Sequence, residues 1–179
     1  MANAWFWKGL QAIGSAGINF PSDTIKVGLW STAYTPAIQT DQFFGIAVPG
    51  GAVIAAGVAL TSVSLTGAGA VNAANTTWTS VSGSQASYIG GYKDTGTANT
   101  SPLLFLIDTA TGLPVTPNGG NINAAWASGI IATLYEGLSP EEASIVSRLW
   151  RGLKDSLRFP LRQDPSGLWI PEQPQVTLG

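Results

Sequence analysis

Acid–base or nucleophilic chemistry needs titratable side chains in the right company, and this chain of 179 residues contains neither histidine nor cysteine. That removes the commonest general base, the commonest transition-metal ligand, the thiolate nucleophile, the cysteine zinc site and the disulfide. A serine nucleophile would have to rely on lysine. Lys8, Lys26 and Lys93 stand in no Ser-x-x-Lys context, and there is no Gly-x-Ser-x-Gly elbow. Paired carboxylates could hydrolyse a glycosidic bond, and Asp41, Asp94, Asp108 and Glu136 are the acids at hand. Nothing in the sequence brings two of them together, and isolated acids in a β-rich chain are expected at turns and caps. There is no Asp-x-Asp-x-Asp calcium loop, and Gly67 and Gly69 lack the third glycine of a dinucleotide fingerprint. The expectation is a protein that is not an enzyme and has no cofactor and no metal site.

Only 10% of the residues are charged, while 45% are hydrophobic and seven are tryptophan. An average soluble domain carries about 25% charged residues. One reading is a neutral polar surface. The other is a surface largely covered by partners, which low charge and abundant tryptophan favour. The net charge is −2, with no basic cluster in the first 135 residues. Phosphate neutralisation needs Lys and Arg, so no nucleic-acid partner is expected. The N-terminal Met1-Ala2-Asn3-Ala4 stretch lacks the basic start and long apolar core of a signal peptide. The run from Ile46 to Leu60 is broken by Pro49-Gly50-Gly51 and Gly57, so no membrane span is expected.

The elements that would position any site read mainly as strands. Ile25, Val27 and Leu29 alternate with Thr24, Lys26 and Gly28, the pattern of a strand with one buried face. Residues 37–52 read as a loop with Phe43 and Phe44 as contact points or core. Val53 to Val71 reads as strand with a turn near Gly67. Thr76 to Val81 is β-branched and aromatic. Ala86 to Ile89 reads as a strand ended by Gly90-Gly91, with a polar turn from Tyr92 to Gly96. Pro102 to Asp108 is apolar on both faces and should lie centrally. Leu113-Pro114-Val115 suits an edge, Pro117 to Asn121 is a turn, and strands over 122–126 and 128–135 close the set. Short strands at roughly ten-residue spacing predict an antiparallel β-sandwich or jelly-roll-like domain over 21–137.

Two extensions flank it. In 1–20, Phe6, Leu10 and Ile13 fit a helical face for two turns, ended by Gly14, Ser15 and Gly17. This N-terminal arm either packs on its own core or reaches a neighbouring subunit. The composition changes after Tyr135: the first 135 residues hold seven charged side chains and the last 44 hold eleven. Ser139-Pro140-Glu141-Glu142 is a capping box with proline at the first helical position. It opens an amphipathic helix over 140–158 with Ile145, Val146, Leu149, Trp150, Leu153 and Leu157 on one face. The proline-rich tail that follows carries Leu168-Trp169-Ile170 and reads as an extended arm, so 138–179 forms a helix plus arm.

One ordered set of segments resembles a known family. Ser22 to Pro36 (SDTIKVGLWSTAYTP), Trp78-Thr79-Ser80-Val81, Tyr92-Lys93-Asp94-Thr95, Ser101-Pro102-Leu103-Leu104, Thr116 to Asn121 and Trp126 to Ile130 look like the strand and turn residues of small tailed-bacteriophage virion proteins encoded among head genes. Several of these look like capsid decoration (cement) or head-fibre proteins. The resemblance implies a virion protein made in the host bacterial cytoplasm. It would bind the major capsid protein on the outer shell as a homo-oligomer, a trimer at three-fold positions. Trp5, Phe6, Trp7, Trp150, Leu168, Trp169 and Ile170 are the expected partner contacts, while Trp30, Trp78 and Trp126 are expected in the core. A head-fibre or tail-associated module that binds host glycans is the alternative, with Tyr34, Phe43, Phe44, Tyr88 and Tyr92 as stacking residues. A low-copy head–tail connector or tail component is a third.

Overall fold

The computed structural model describes residues 3–66 and 69–134, with the backbone of two short strands near the C-terminus. The chain divides into two compact units, Met1–Leu134 and Tyr135–Gly179. The described residues are mainly β, and every strand pair is antiparallel. In chain order the first unit runs β1 (Ala4–Trp5), α1 (Trp7–Gly14), β2 (Ile25–Trp30), α2 (Phe44–Ala47), β3 (Val53–Ala59), β4 (Ser64–Leu65), β5 (Ala70–Asn72), β6 (Thr76–Trp78), β7 (Tyr88–Lys93), β8 (Leu103–Ile107), β9 (Ile122–Ala124) and β10 (Ile130–Thr133). A five-stranded sheet has the order β1-β8-β7-β2-β3, a three-stranded sheet the order β10-β5-β4, and β6 pairs with β9.

The five-stranded sheet is buried on both faces. On one side Ile25, Val27, Leu29, Ile89, Phe105 and Ile107 pack with Trp78, Val71 and Ile131. On the other, Trp30, Tyr92, Leu103 and Leu106 pack with Phe6, Tyr34 and Val48. β8, buried at all five positions, lies between β1 and β7, as its two-sided apolar run requires.

Glycine does not end β7 as the sequence suggests. Gly90 and Gly91 continue the ladder opposite Gly28 and Val27. A side chain on Gly90 would overlap the Trp30 ring, and one on Gly91 would overlap the Phe105 ring. The bare backbone is the seat for a large aromatic from the neighbouring strand. Gly57 of β3 gives similar room to the Tyr92 side chain, which reaches it from β7 across β2.

The first residues of the N-terminal arm pack on the chain's own sheet, one of the two alternatives the sequence left open. β1 adds to the free edge of β8, with Ala4 opposite Leu106 and Trp5 opposite Phe105. Asn3 Oδ1 accepts hydrogen bonds from the backbone N–H groups of Asp108 (3.1 Å) and Thr109 (3.2 Å). The predicted loop over 37–52 contains α2 and a single 3₁₀ turn, Gly50–Ala52. The predicted strand over 53–71 is three strands: Ser62, whose φ is +54°, lies between the first two, and the second and third are joined across the expected turn, where the N–H of Gly69 donates to Thr66 O.

In the second unit, β11 (Leu161–Gln163) pairs with β12 (Trp169–Pro171), so this part of the expected extended arm folds back on itself. Pro171 sits at the end of the ladder, where a missing N–H costs least. The helix predicted over 140–158 lies outside the described residues.

Candidate interaction surface

The surface is built on α1. Phe6 precedes the helix in extended conformation and is 0% exposed. Its N–H donates to Leu104 O at 2.9 Å, and the N–H of Trp7 donates to Ile38 O at 3.0 Å. Gly9 faces the sheet so closely that a side chain there would overlap the Leu103 carbonyl. Phe6, Gly9 and Ile13 therefore form the inner side, which holds the helix against β8. Trp7 and Leu10, three residues apart and hence on one helical face, point outward with Gln11 and Gly14. Trp7 is 54% exposed and Leu10 37%. The Lys8 ammonium lies beside them and donates to Gln11 Oε1 at 3.3 Å.

α2 adds a second projection at the same stretch of β8. The N–H of Leu103 donates to Gln42 O (2.8 Å), and the N–H of Phe44 donates to Ser101 O (2.8 Å). Phe44 turns inward and Ile46 turns out, 71% exposed. Leu65 and Ile130, on the β10-β5-β4 sheet, are the other large exposed apolar side chains among the described residues.

Three of the five rings considered for glycan stacking pack on one another or on Trp30. Phe44 stacks on Tyr92 (4.4 Å, 5°) and on Trp30 (5.7 Å, 18°), and Tyr34 meets Trp30 edge-on at 5.7 Å. Tyr34 and Tyr92 are buried; Phe43 and Tyr88 are half-buried. Tyr34 Oη donates to Asp41 Oδ2 at 2.6 Å, and burial, with the Asp41 carboxylate beside it, pushes the phenol well above its usual range.

The acids are engaged in local structure. Asp94 pairs with Lys26 at 2.6 Å and accepts from the N–H of Gly96. Asp23 pairs with Lys93 at 2.9 Å and accepts from the N–H of Asn19. Asp41 also accepts from the N–H of Ala37 at 2.8 Å. Among the described residues no three such ligands gather to hold a metal ion. An open groove of about 280 Å³ beside β3 is lined by Ile54, Val58, Trp78 and Val81, with Thr79 and Ser80, and no ionisable side chain. Among the described residues no helix is long and apolar enough to cross a membrane.

Of the expected contact residues, Trp5 is half-buried, edge-on to Phe105 at 5.6 Å, and its indole N–H donates to Thr133 O at 2.7 Å. Phe6 lies wholly in the chain's own core, and Trp7 alone of the three is strongly exposed. The own-core alternative thus describes Phe6 and most of Trp5. Trp169 and Ile170 lie on β12; Trp150 and Leu168 are outside the described residues. Trp30 and Trp78 are in the core as expected, and Trp126 is partly buried with its indole N–H on Ala74 O. The outward Ile46 was not singled out by the sequence, because Phe44-Gly45-Ile46-Ala47 is too short to show a period. No family model matches the chain, and no curated protein matches it.

Proposed function

We propose that the protein is a bacteriophage capsid decoration, or cement, protein. In this reading the first unit is a sandwich or jelly-roll-like body. It binds the outer surface of the major capsid protein shell, as a trimer, and stabilises the head in the virion. The mechanism is adhesive: apolar side chains are buried across capsomer junctions, and the added contacts oppose internal pressure. The observation that carries the reading is the outward Trp7 on a helix whose backbone is seated on the sheet. Four other tryptophans, Trp5, Trp30, Trp78 and Trp126, are at least partly buried in the first unit. A large aromatic held in solvent by a rigid support is a typical contact anchor. The low charge of the chain and the ordered segments that resemble phage head proteins point the same way.

The glycan-binding alternative has less support, because Tyr34, Phe44 and Tyr92 are engaged with one another or with Trp30. Deleting the gene tests the choice. Particles that lose heat or osmotic resistance while adsorbing normally support decoration. Particles that stay stable but adsorb poorly contradict it.

A further inference from the structure

We infer that the outer face of α1 docks into an apolar pocket bordered by a carboxylate on the coat-protein shell, with Trp7 as the anchor and Lys8 as the ion-pair partner. The inference rests on the decoration reading and adds the chemistry of the contact.

Charge sets the character of the partner. Lys26 is paired with Asp94 and Lys93 with Asp23. Lys8 is the remaining lysine of the first unit, and among the described residues no carboxylate pairs with it; its contact is the neutral amide of Gln11. It follows Trp7 directly, and Leu10 completes the outward face. A partner that buries Trp7 and Leu10 would desolvate the lysine stem as well. The ammonium then sits at the rim of the contact, where a negative group on the partner is favoured over a neutral or positive one. The support is already ordered: Gly9 lies against the Leu103 carbonyl and Phe6 is locked in the core, so docking costs little chain entropy. Two apolar side chains and one cation on a helix of 8 residues make a poor lipid anchor, since stable membrane attachment needs a larger apolar face or several cations. They suit a pocket in a protein.

The test uses the full chain with undecorated shells of the encoding phage in co-sedimentation. Wild type, Trp7→Ala, Lys8→Ala and Lys8→Glu are compared, each checked for native circular dichroism. Trp7→Ala should weaken binding about tenfold or more, the cost of losing an aromatic anchor. Lys8→Glu should bind more weakly than Lys8→Ala at low salt. That difference should shrink at 1 M salt, where screening acts within about 3 Å. Wild-type binding with all three variants unimpaired overturns the inference and leaves the decoration reading intact. Wild type that binds no shells overturns the decoration reading itself. Wild type that sediments instead with phosphatidylglycerol vesicles also overturns the inference, by assigning the face to lipid.

Discussion

The ring of Phe44 lies parallel to that of Tyr92, with centroids 4.4 Å apart and planes 5° apart. This contact joins α2 to the five-stranded sheet, because Tyr92 belongs to β7. Phe44 also stacks on Trp30, and the Trp30 and Tyr92 rings each lie against a glycine of the sheet. Phe44→Ala should therefore cost about 3 kcal/mol of unfolding free energy, the range for removing a packed aromatic. Ile46→Ala, two residues further along the same short helix but solvent-exposed, should change stability by less than about 0.5 kcal/mol. Urea unfolding of the two variants separates them; equal losses would mean that the stack does not hold α2 in place.

Gly90 shows the same dependence from the backbone side. A methyl group at Gly90 has to displace the Trp30 ring, so Gly90→Ala should destabilise by about 2–4 kcal/mol. Gly50 is the control: a methyl group there would meet open space, and its φ is not positive. Gly50→Ala should be neutral within about 0.5 kcal/mol. Thermal unfolding of both proteins decides it, and a Gly90→Ala protein that melts with wild type would contradict the packing described.

The indole N–H of Trp78 donates to Val27 O at 3.0 Å, where the β2–β3 ladder is irregular. Trp78→Phe keeps much of the ring but leaves that buried carbonyl without its donor. The expected loss is about 1–3 kcal/mol. Hydrogen exchange should show faster opening of β2 and β3 in the variant than in wild type; unchanged protection would argue against the bond.

Acid should weaken the paired end of β2 and β7. The hydrogen bond from Lys26, helped by the N–H of Gly96, holds the Asp94 carboxyl below its usual value. For Asp23 burial pulls upward, but the hydrogen bonds from Asn19 and Lys93 outweigh it and the net shift is also downward. A carboxyl with a lowered folded pKa contributes stability that is present above the unfolded value, near ~3.9, and lost as the pH falls through the folded one. Stability should therefore decline below about pH 4. Asp94→Asn should flatten that decline and lower stability at neutral pH. An acid limb identical to wild type would show that the pair contributes nothing.

The parts of the fold that depend on side-chain periodicity could be read in advance. β2 shows its alternation in Ile25, Val27 and Leu29, and β8 shows a two-sided apolar run in Leu103 to Ile107. Gly90 and Gly91 misled because a glycine pair normally signals a turn; here the information lies in Trp30 and Phe105, distant in sequence, which fill the space above it. The helical face near the N-terminus was half legible. Phe6 and Ile13 do turn inward, but the third inner residue is Gly9, chosen by the nearby Leu103 carbonyl, and Leu10 is left outside. For the same reason, sequence alone could not separate Trp7 from Trp5 and Phe6. Which of three neighbouring aromatics faces solvent depends on a two-residue strand passing directly into a helix.

The central claim is that the protein coats a phage head, and its copy number per particle tests that most directly. Quantitative mass spectrometry of purified virions gives the ratio of this chain to the major capsid protein. The decoration reading predicts hundreds of copies, in fixed proportion to the shell. A handful per particle would contradict it and move the protein to a vertex, the neck or the tail, and absence from the particle would remove the virion assignment altogether.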